Sequence, residues 1–168
     1  ADRVVRRVAP GPNPDPIVFG IFSVFEILLA SVYTGVARRA LDLAVETAKK
    51  RTSKKTGLAY SDDPDIRWRV AEMALAYDAM LPQIAALAAD VDGRADHGGL
   101  WFAKLSGLKH RAAVAAKGIV DEAMLVAGGS SYFTRSELGR LYRDVLAGLF
   151  HPSDPVEHVA IQSGRAHV

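Results

Sequence analysis

Three long stretches of this chain repeat their apolar residues every three or four positions, and no stretch of useful length alternates them. That spacing puts the apolar side chains along one side of a helix, so each stretch must be a helix that needs a partner. Residues 100–127 are alanine-rich, with Leu105, Leu108, Ala112, Ala115, Ile119, Ala123 and Val126 predicted to face inward. Residues 19–51 are predicted as one long helix whose buried stripe runs through Phe22, Phe25, Leu28, Leu29, Val32, Val36, Leu41 and Val45. A third run, 64–91, starts at Ser61-Asp62-Asp63-Pro64, a helix-start signal with proline in the first turn. It carries Ile66, Val70, Met73, Tyr77, Met80, Ile84 and Leu87 on one stripe, and Pro82 is expected to kink or bend it. A fourth helix is predicted over 136–149 and a short fifth over 156–166. The expected fold is all-α: an up-down bundle of four main helices with a short extra C-terminal helix, spanning 17–168. Pro10, Pro12, Pro14 and Pro16 alternate with Gly, Asn and Asp, so 1–16 is expected to be an extended linker.

Composition narrows the function. At 168 residues with 49% apolar and 24% charged residues, the chain has enough material for one soluble domain with a sizeable core. The 21 basic residues nearly balance 19 acidic ones, which argues against a nucleic-acid partner. No cysteine is present, so disulfides, thiol nucleophiles and thiolate metal sites are excluded, and a cytoplasmic location is expected. Residues 17–36 are strongly apolar, but Glu26 interrupts them. A membrane span needs about 20 largely uncharged residues, so the segment reads as a buried bundle helix and no membrane partner is expected. His151, Asp154, Glu157 and His158 lie close in sequence, but Pro152 and Pro155 break the spacing a helical ligand pair needs, and no metal is expected.

The stretch after the alanine-rich helix carries the most specific pattern. Gly128-Gly129 ends the helix, Ser131-Tyr132 follows, and Leu138-Gly139-Arg140-Leu141-Tyr142-Arg143-Asp144 opens the next helix. A second block is Gly35-Val36-Ala37-Arg38-Arg39-Ala40-Leu41, followed by Ala48-Lys49-Lys50-Arg51. A third is Asp65-Ile66-Arg67-Trp68-Arg69-Val70-Ala71-Glu72-Met73. In order and spacing these blocks resemble the C-terminal helical domain of the acyl-CoA dehydrogenase superfamily of flavoproteins.

The resemblance implies FAD as cofactor, a homo-oligomer (dimer or tetramer), and α,β-dehydrogenation of an acyl-CoA thioester. It places Arg51 on the pyrophosphate of a flavin held by a neighbouring subunit, a task suited to a permanently charged, forked guanidinium. It places the bare backbone of Gly128 and Gly129 beside the adenosine-diphosphate half of that flavin. Leu125 stands where the family commonly has a glutamine. Arg143 and Asp144 are implied to tie the fourth helix to its neighbours. The family's catalytic glutamate, commonly in a Tyr-Glu-Gly sequence, is replaced by His151-Pro152-Ser153. Some relatives carry the base on the first helix, which makes Glu26 a catalytic candidate, since a buried carboxylate with a raised pKa can serve as a base. Related flavin-dependent monooxygenases have a histidine at the His151 position, where it faces the flavin and assists its oxygen chemistry. An imidazole titrating near neutral pH suits that role. Three readings stay open: dehydrogenase, monooxygenase with FAD or with reduced FMN or FAD as co-substrate, and a non-catalytic assembly module. The isolated chain, lacking the preceding domains, is expected to bind FAD weakly.

Overall fold

In a computed structural model, Arg7 and residues 15–151 are described. Helix α1 (Pro16–Lys50) is a single rod of 35 residues. Asp15 caps it by accepting from the Ile17 N–H at 3.0 Å, and Pro16 sits in the first turn, where its missing N–H costs nothing. Helix α2 (Pro64–Asp78) is capped the same way by Asp63, whose carboxylate accepts from the N–H groups of Asp65 and Ile66. Helix α3 (Leu81–Asp92) continues α2 after a two-residue break. Helix α4 (Trp101–Ala127) and helix α5 (Glu137–Leu146) complete the set, with short 3₁₀ turns between and after them. Among the described residues there is no strand, only an isolated antiparallel bridge between Thr52 and Ala59.

The rods alternate in direction, as expected. At one end of the bundle Phe19 meets Trp101 with ring centres 5.1 Å apart, and Phe22 meets Phe102 at 4.8 Å. At the other end Arg51 reaches Ala127. Helices α1 and α4 therefore run parallel, side by side, over their whole common length. Helices α2 and α3 descend along one side of this pair, where Arg69 pairs with Glu122 and Gln83 accepts from Arg111 Nε at 2.8 Å. Helix α5 descends along the other side, where Glu137 forks onto Arg39 at 2.8 and 2.9 Å. The pairing of α1 with α4 is built on small residues. Ala30, Ala37, Ala40, Ala44 and Ala48 of α1 and Ala112, Ala113, Ala116, Ala123 and Ala127 of α4 are all buried. Methyl-sized side chains let two helix axes approach closely, and Leu105, Leu108, Ile119, Val120 and Val126 fill the remaining core.

Two expectations are corrected. Only part of the large apolar set of α1 faces the core: Leu41 is buried and Leu29, Val36 and Val45 pack against it. Phe25 is 40% exposed, Leu28 59% and Val32 58%, whereas Ser23, Glu26, Ala30, Tyr33 and Ala37 are buried. The alanines win the contact with α4 because close approach gains more packed surface than a wider seam of large side chains. The first half of α1 is thus left with an outward apolar face that also includes Ile17, Ile21 and Val24. By length and composition α1 would qualify as a membrane span, yet its other face is committed to α4 along its length.

The second correction concerns 64–91, which is two helices rather than one bent helix. Pro82 has no N–H to give to Asp78, and its ring crowds that carbonyl, so α2 stops at Asp78 and α3 restarts with Pro82 in its first turn. The predicted linker 1–16 falls outside the described residues except for Arg7, Asp15 and Pro16, of which Pro16 is helical. The predicted fifth helix lies outside the described residues entirely.

Candidate functional site

Arg51 and Gly128, 77 positions apart in the chain, meet at the end of the bundle where α1 and α4 finish together. Arg51 closes α1, its N–H bonded to the Thr47 carbonyl at 3.0 Å. A tight loop then returns the chain. Ser53 N–H bonds to Leu58 O at 2.8 Å, and Tyr60 N–H bonds to Arg51 O at 2.9 Å. The main chain of Arg51 is therefore held on both sides, and its guanidinium is aimed at α4. Nη1 donates to the Ala127 carbonyl and Nη2 to the Ser130 hydroxyl. Gly128 ends α4 at φ 63°, ψ −160°, a conformation open essentially only to glycine. A Cβ there would lie 3.7 Å from Arg51 Nη1, whereas at the exposed Gly129 nothing stands within 4 Å. Ser131 Oγ locks the turn by donating to Gly128 O at 2.7 Å.

The corner thus offers one fixed cation, two adjacent residues without side chains, and solvent access. Those are the properties that the diphosphate half of a flavin requires. Arg51, Gly128 and Gly129 fit that half. Lys54 and Lys55 add exposed positive charge on the returning loop.

His151 and Glu26 lie elsewhere. The Tyr33 hydroxyl is 2.9 Å from His151 Nδ1, and Lys109 Nζ donates to the His151 carbonyl at 3.1 Å. From Tyr33 to Arg51 is eighteen residues of unbroken helix, or about 27 Å along the axis. Glu26 is two turns further toward the start of α1, completely buried against α4. Residues of α4 level with α1 carry numbers 80 higher, as Phe22 beside Phe102 and the shared approach of Tyr33 and Ala113 to Gly148 both show. Glu26 is therefore level with Ser106 and one turn from Lys109, and both of these are also buried. The structure brings Arg51, Gly128 and Gly129 together at one end. It sets His151 and Glu26 away from that end, on a polar stretch of the α1–α4 seam about two turns long that also holds Tyr33, Ser106 and Lys109.

Three residues of that layer escaped the sequence reading. Tyr33 follows Glu26 by seven positions, which is the same helix face. Lys109 sits between Leu105 and Ala112 on the inward register of α4, where a charge is exceptional. Gly148 gives up its side chain to the Tyr33 ring: a Cβ there would stand 2.9 Å from Cζ. The expected tie through Arg143 and Asp144 is made by another pair. Asp144 accepts from Arg140 of its own helix at 3.0 Å, Arg143 is exposed, and Glu137 to Arg39 holds α5 to α1.

A separate open groove of about 760 Å³ lies between α2 and α4, lined by Trp68, Arg69, Met73, Gly118, Ile119 and Glu122 among others. None of the candidate residues borders it. Asp154, Glu157 and His158 lie outside the described residues. Among the described residues no group of three or more His, Cys, Asp or Glu side chains is placed to share a metal.

Residues 27–153 match the family described as acyl-CoA dehydrogenase, C-terminal domain. The amino sugar nitrososynthase DnmZ of Streptomyces peucetius is 30% identical over 95% of this chain, which covers 40% of that protein. The 3-(aryl)acrylate reductase of Clostridium sporogenes is 31% identical over 84% of the chain and 36% of its own length. The butyryl-CoA dehydrogenase structure from Megasphaera elsdenii has the same fold, with a TM-score of 0.81 at 19% identity over 94% of this chain and 40% of that one. The chain spans well under half the length of the relatives it matches. With residues 27–153, three quarters of its length, matched by that family and its helical fold shared, the chain belongs to the acyl-CoA dehydrogenase family, as its C-terminal helical domain.

Proposed function

We propose that the chain is the C-terminal helical domain of a flavin-dependent oxygenase, binding FAD and acting on a small molecule, with an amino sugar as the class that one relative's name suggests. The observation that carries this reading is His151. An imidazole stands where the family's dehydrogenases have a glutamate, and it is held from two sides by Tyr33 and Lys109. A neutral imidazole can give or take a proton near pH 7, which an ordinary exposed carboxylate cannot. The flavin, when bound, supplies the electron transfer and oxygen chemistry. This chain's residues supply the cradle and the proton.

Arg51 would hold the diphosphate by charge, while Gly128 and Gly129 would let it lie against the main chain. The two candidate regions are about 27 Å apart along α1, and a ribityl chain only a few carbons long does not bridge them. That separation supports a homo-oligomer in which the Arg51 corner serves the flavin of a sister protomer while His151 faces its own. A cytoplasmic location, consistent with the cysteine-free composition, is part of the same proposal.

A second reading is oxidation or reduction of a carbon–carbon bond in an acyl-CoA or arylacrylate, with Glu26 as the base. The complete burial of Glu26 and the reductase relative favour it. The full-length protein distinguishes the two. For an oxygenase, anaerobic acyl-CoA leaves the flavin yellow, and substrate is consumed only with reduced flavin and oxygen. Anaerobic bleaching by an acyl-CoA would replace the first reading with the second. A full-length protein that neither retains flavin nor turns over with added reduced flavin would remove both and leave the assembly role. Reduced FMN or FAD arriving as a co-substrate is recognised by turnover without retained flavin.

A further inference from the structure

The direction of the Tyr33–His151 hydrogen bond decides which ring nitrogen carries the proton. Tyr33 is 4% exposed, with its ring seated between Ala113 and the bare backbone of Gly148. Burial pushes its phenol above the usual 10, so the group stays a neutral O–H throughout the working range. Among the described residues the hydrogen bond of Tyr33 Oη is to His151 Nδ1, at 2.9 Å. Were Nδ1–H the donor, the buried phenolic proton would be left without an acceptor among those residues, an arrangement that folded proteins avoid. With the phenol as donor, Nδ1 is the acceptor and the proton of a neutral imidazole must sit on Nε2. Lys109 fixes the other end of the same residue by donating to its carbonyl.

We propose that Tyr33 is a positioning residue for His151: its phenol donates to Nδ1, holds the ring in the Nε2–H tautomer, and so leaves Nε2 as a hydrogen-bond donor. The proposal rests on the functional reading above for what His151 does, but not for how the ring is held. Under it, neutral His151 offers its reactant a hydrogen-bond donor at Nε2, not a lone pair that could act as a base. Gly148 takes part, because any side chain there would displace the phenol.

The test follows His151 in the full 168-residue chain with ¹⁵N-labelled histidine, assigned by its loss in His151→Gln. Among the described residues, Tyr33 of α1 contacts the ring and Lys109 of α4 reaches its carbonyl, with Glu26 and His110 the further titratable groups within about two turns on those helices. At pH above its midpoint, wild-type His151 should show a bare Nδ1 and a protonated Nε2. An accepted hydrogen bond favours the neutral ring, so Tyr33→Phe should raise the His151 midpoint by roughly 0.5 pH unit or more, with the fold unchanged. If Tyr33 were the acceptor, the same change would lower the midpoint. A fall, an unmoved midpoint, or a protonated Nδ1 in the wild type overturns the proposal. The measurement needs no flavin, so it can fail or succeed independently of the oxygenase assay.

Discussion

Gly148→Ala is a small change that should have a large effect. The added Cβ would stand 2.9 Å from Tyr33 Cζ, 3.0 Å from Cε1 and 3.1 Å from Ala113 Cβ. Carbon atoms rest at about 3.5–4.0 Å, so the ring must retreat by at least roughly 0.5 Å. It cannot do so freely, because Ala113 belongs to the close-packed α4 core and the hydroxyl is tied to His151. Overpacking a well-filled site costs about 1–3 kcal/mol. Against this, alanine restricts the unfolded chain and returns about 0.4–1 kcal/mol, since Gly148 is not among the positive-φ glycines. The net expectation is a loss of about 1–2 kcal/mol, read by urea denaturation. In a chain of this size it corresponds to a fall in Tm of about 2–8 °C. Replacing Tyr33 by Leu in the Gly148→Ala background should recover part of the loss, with a coupling above about 0.5 kcal/mol. A Gly148→Ala protein as stable as its parent, or more so, would refute the packing described for this end of α1.

At the other end, Gly128→Ala should lose about 1–3 kcal/mol because its backbone conformation is closed to other residues. Gly129→Ala, with nothing within 4 Å, should stay within about 0.5 kcal/mol, and equal effects in denaturation curves would be inconsistent with the corner geometry. Ala40→Leu, in the completely buried seam, should destabilise by about 1–3 kcal/mol while Leu28→Gln leaves the isolated chain nearly unchanged, and the reverse order would restore the stripe expected from the sequence. Arg39 holds the Glu137 carboxyl below its usual 4.5. Its contribution is therefore present in full above about pH 4.5 and is lost as pH falls through the lower folded value. The pair is exposed and screened by solvent, so the effect is small, and Glu137→Gln should flatten that part of the stability–pH curve.

Helix existence was legible because period and capping agreed. The Asp63-Pro64 start and the Gly128 end fall where local chemistry demands them. The face of α1 was not legible. A period count weights Phe25, Leu28 and Val32 heavily and alanine little, although alanine is what permits close helix contact. Glu26 looked like an interruption of the apolar stripe, yet it marks the face that is actually buried. The Arg51–Gly128 corner was visible only through the family's pattern, since nothing local to either residue points across 77 positions. Tyr33, Lys109 and Gly148 were missed because each is ordinary alone. Their meaning comes from α1, α4 and the end of α5 meeting at one level.

The parallel course of α1 and α4 has an electrostatic consequence. Both rods point their carbonyl ends at the same corner, so two negative poles converge where a diphosphate would dock. Helix α4 has no basic residue in its last turn, so the countering charge comes from the α1 side: the Arg51 guanidinium fixed at the corner, with Lys49, Lys50, Lys54 and Lys55 around it. Cations delivered by one rod thus offset the converging carbonyl poles of both.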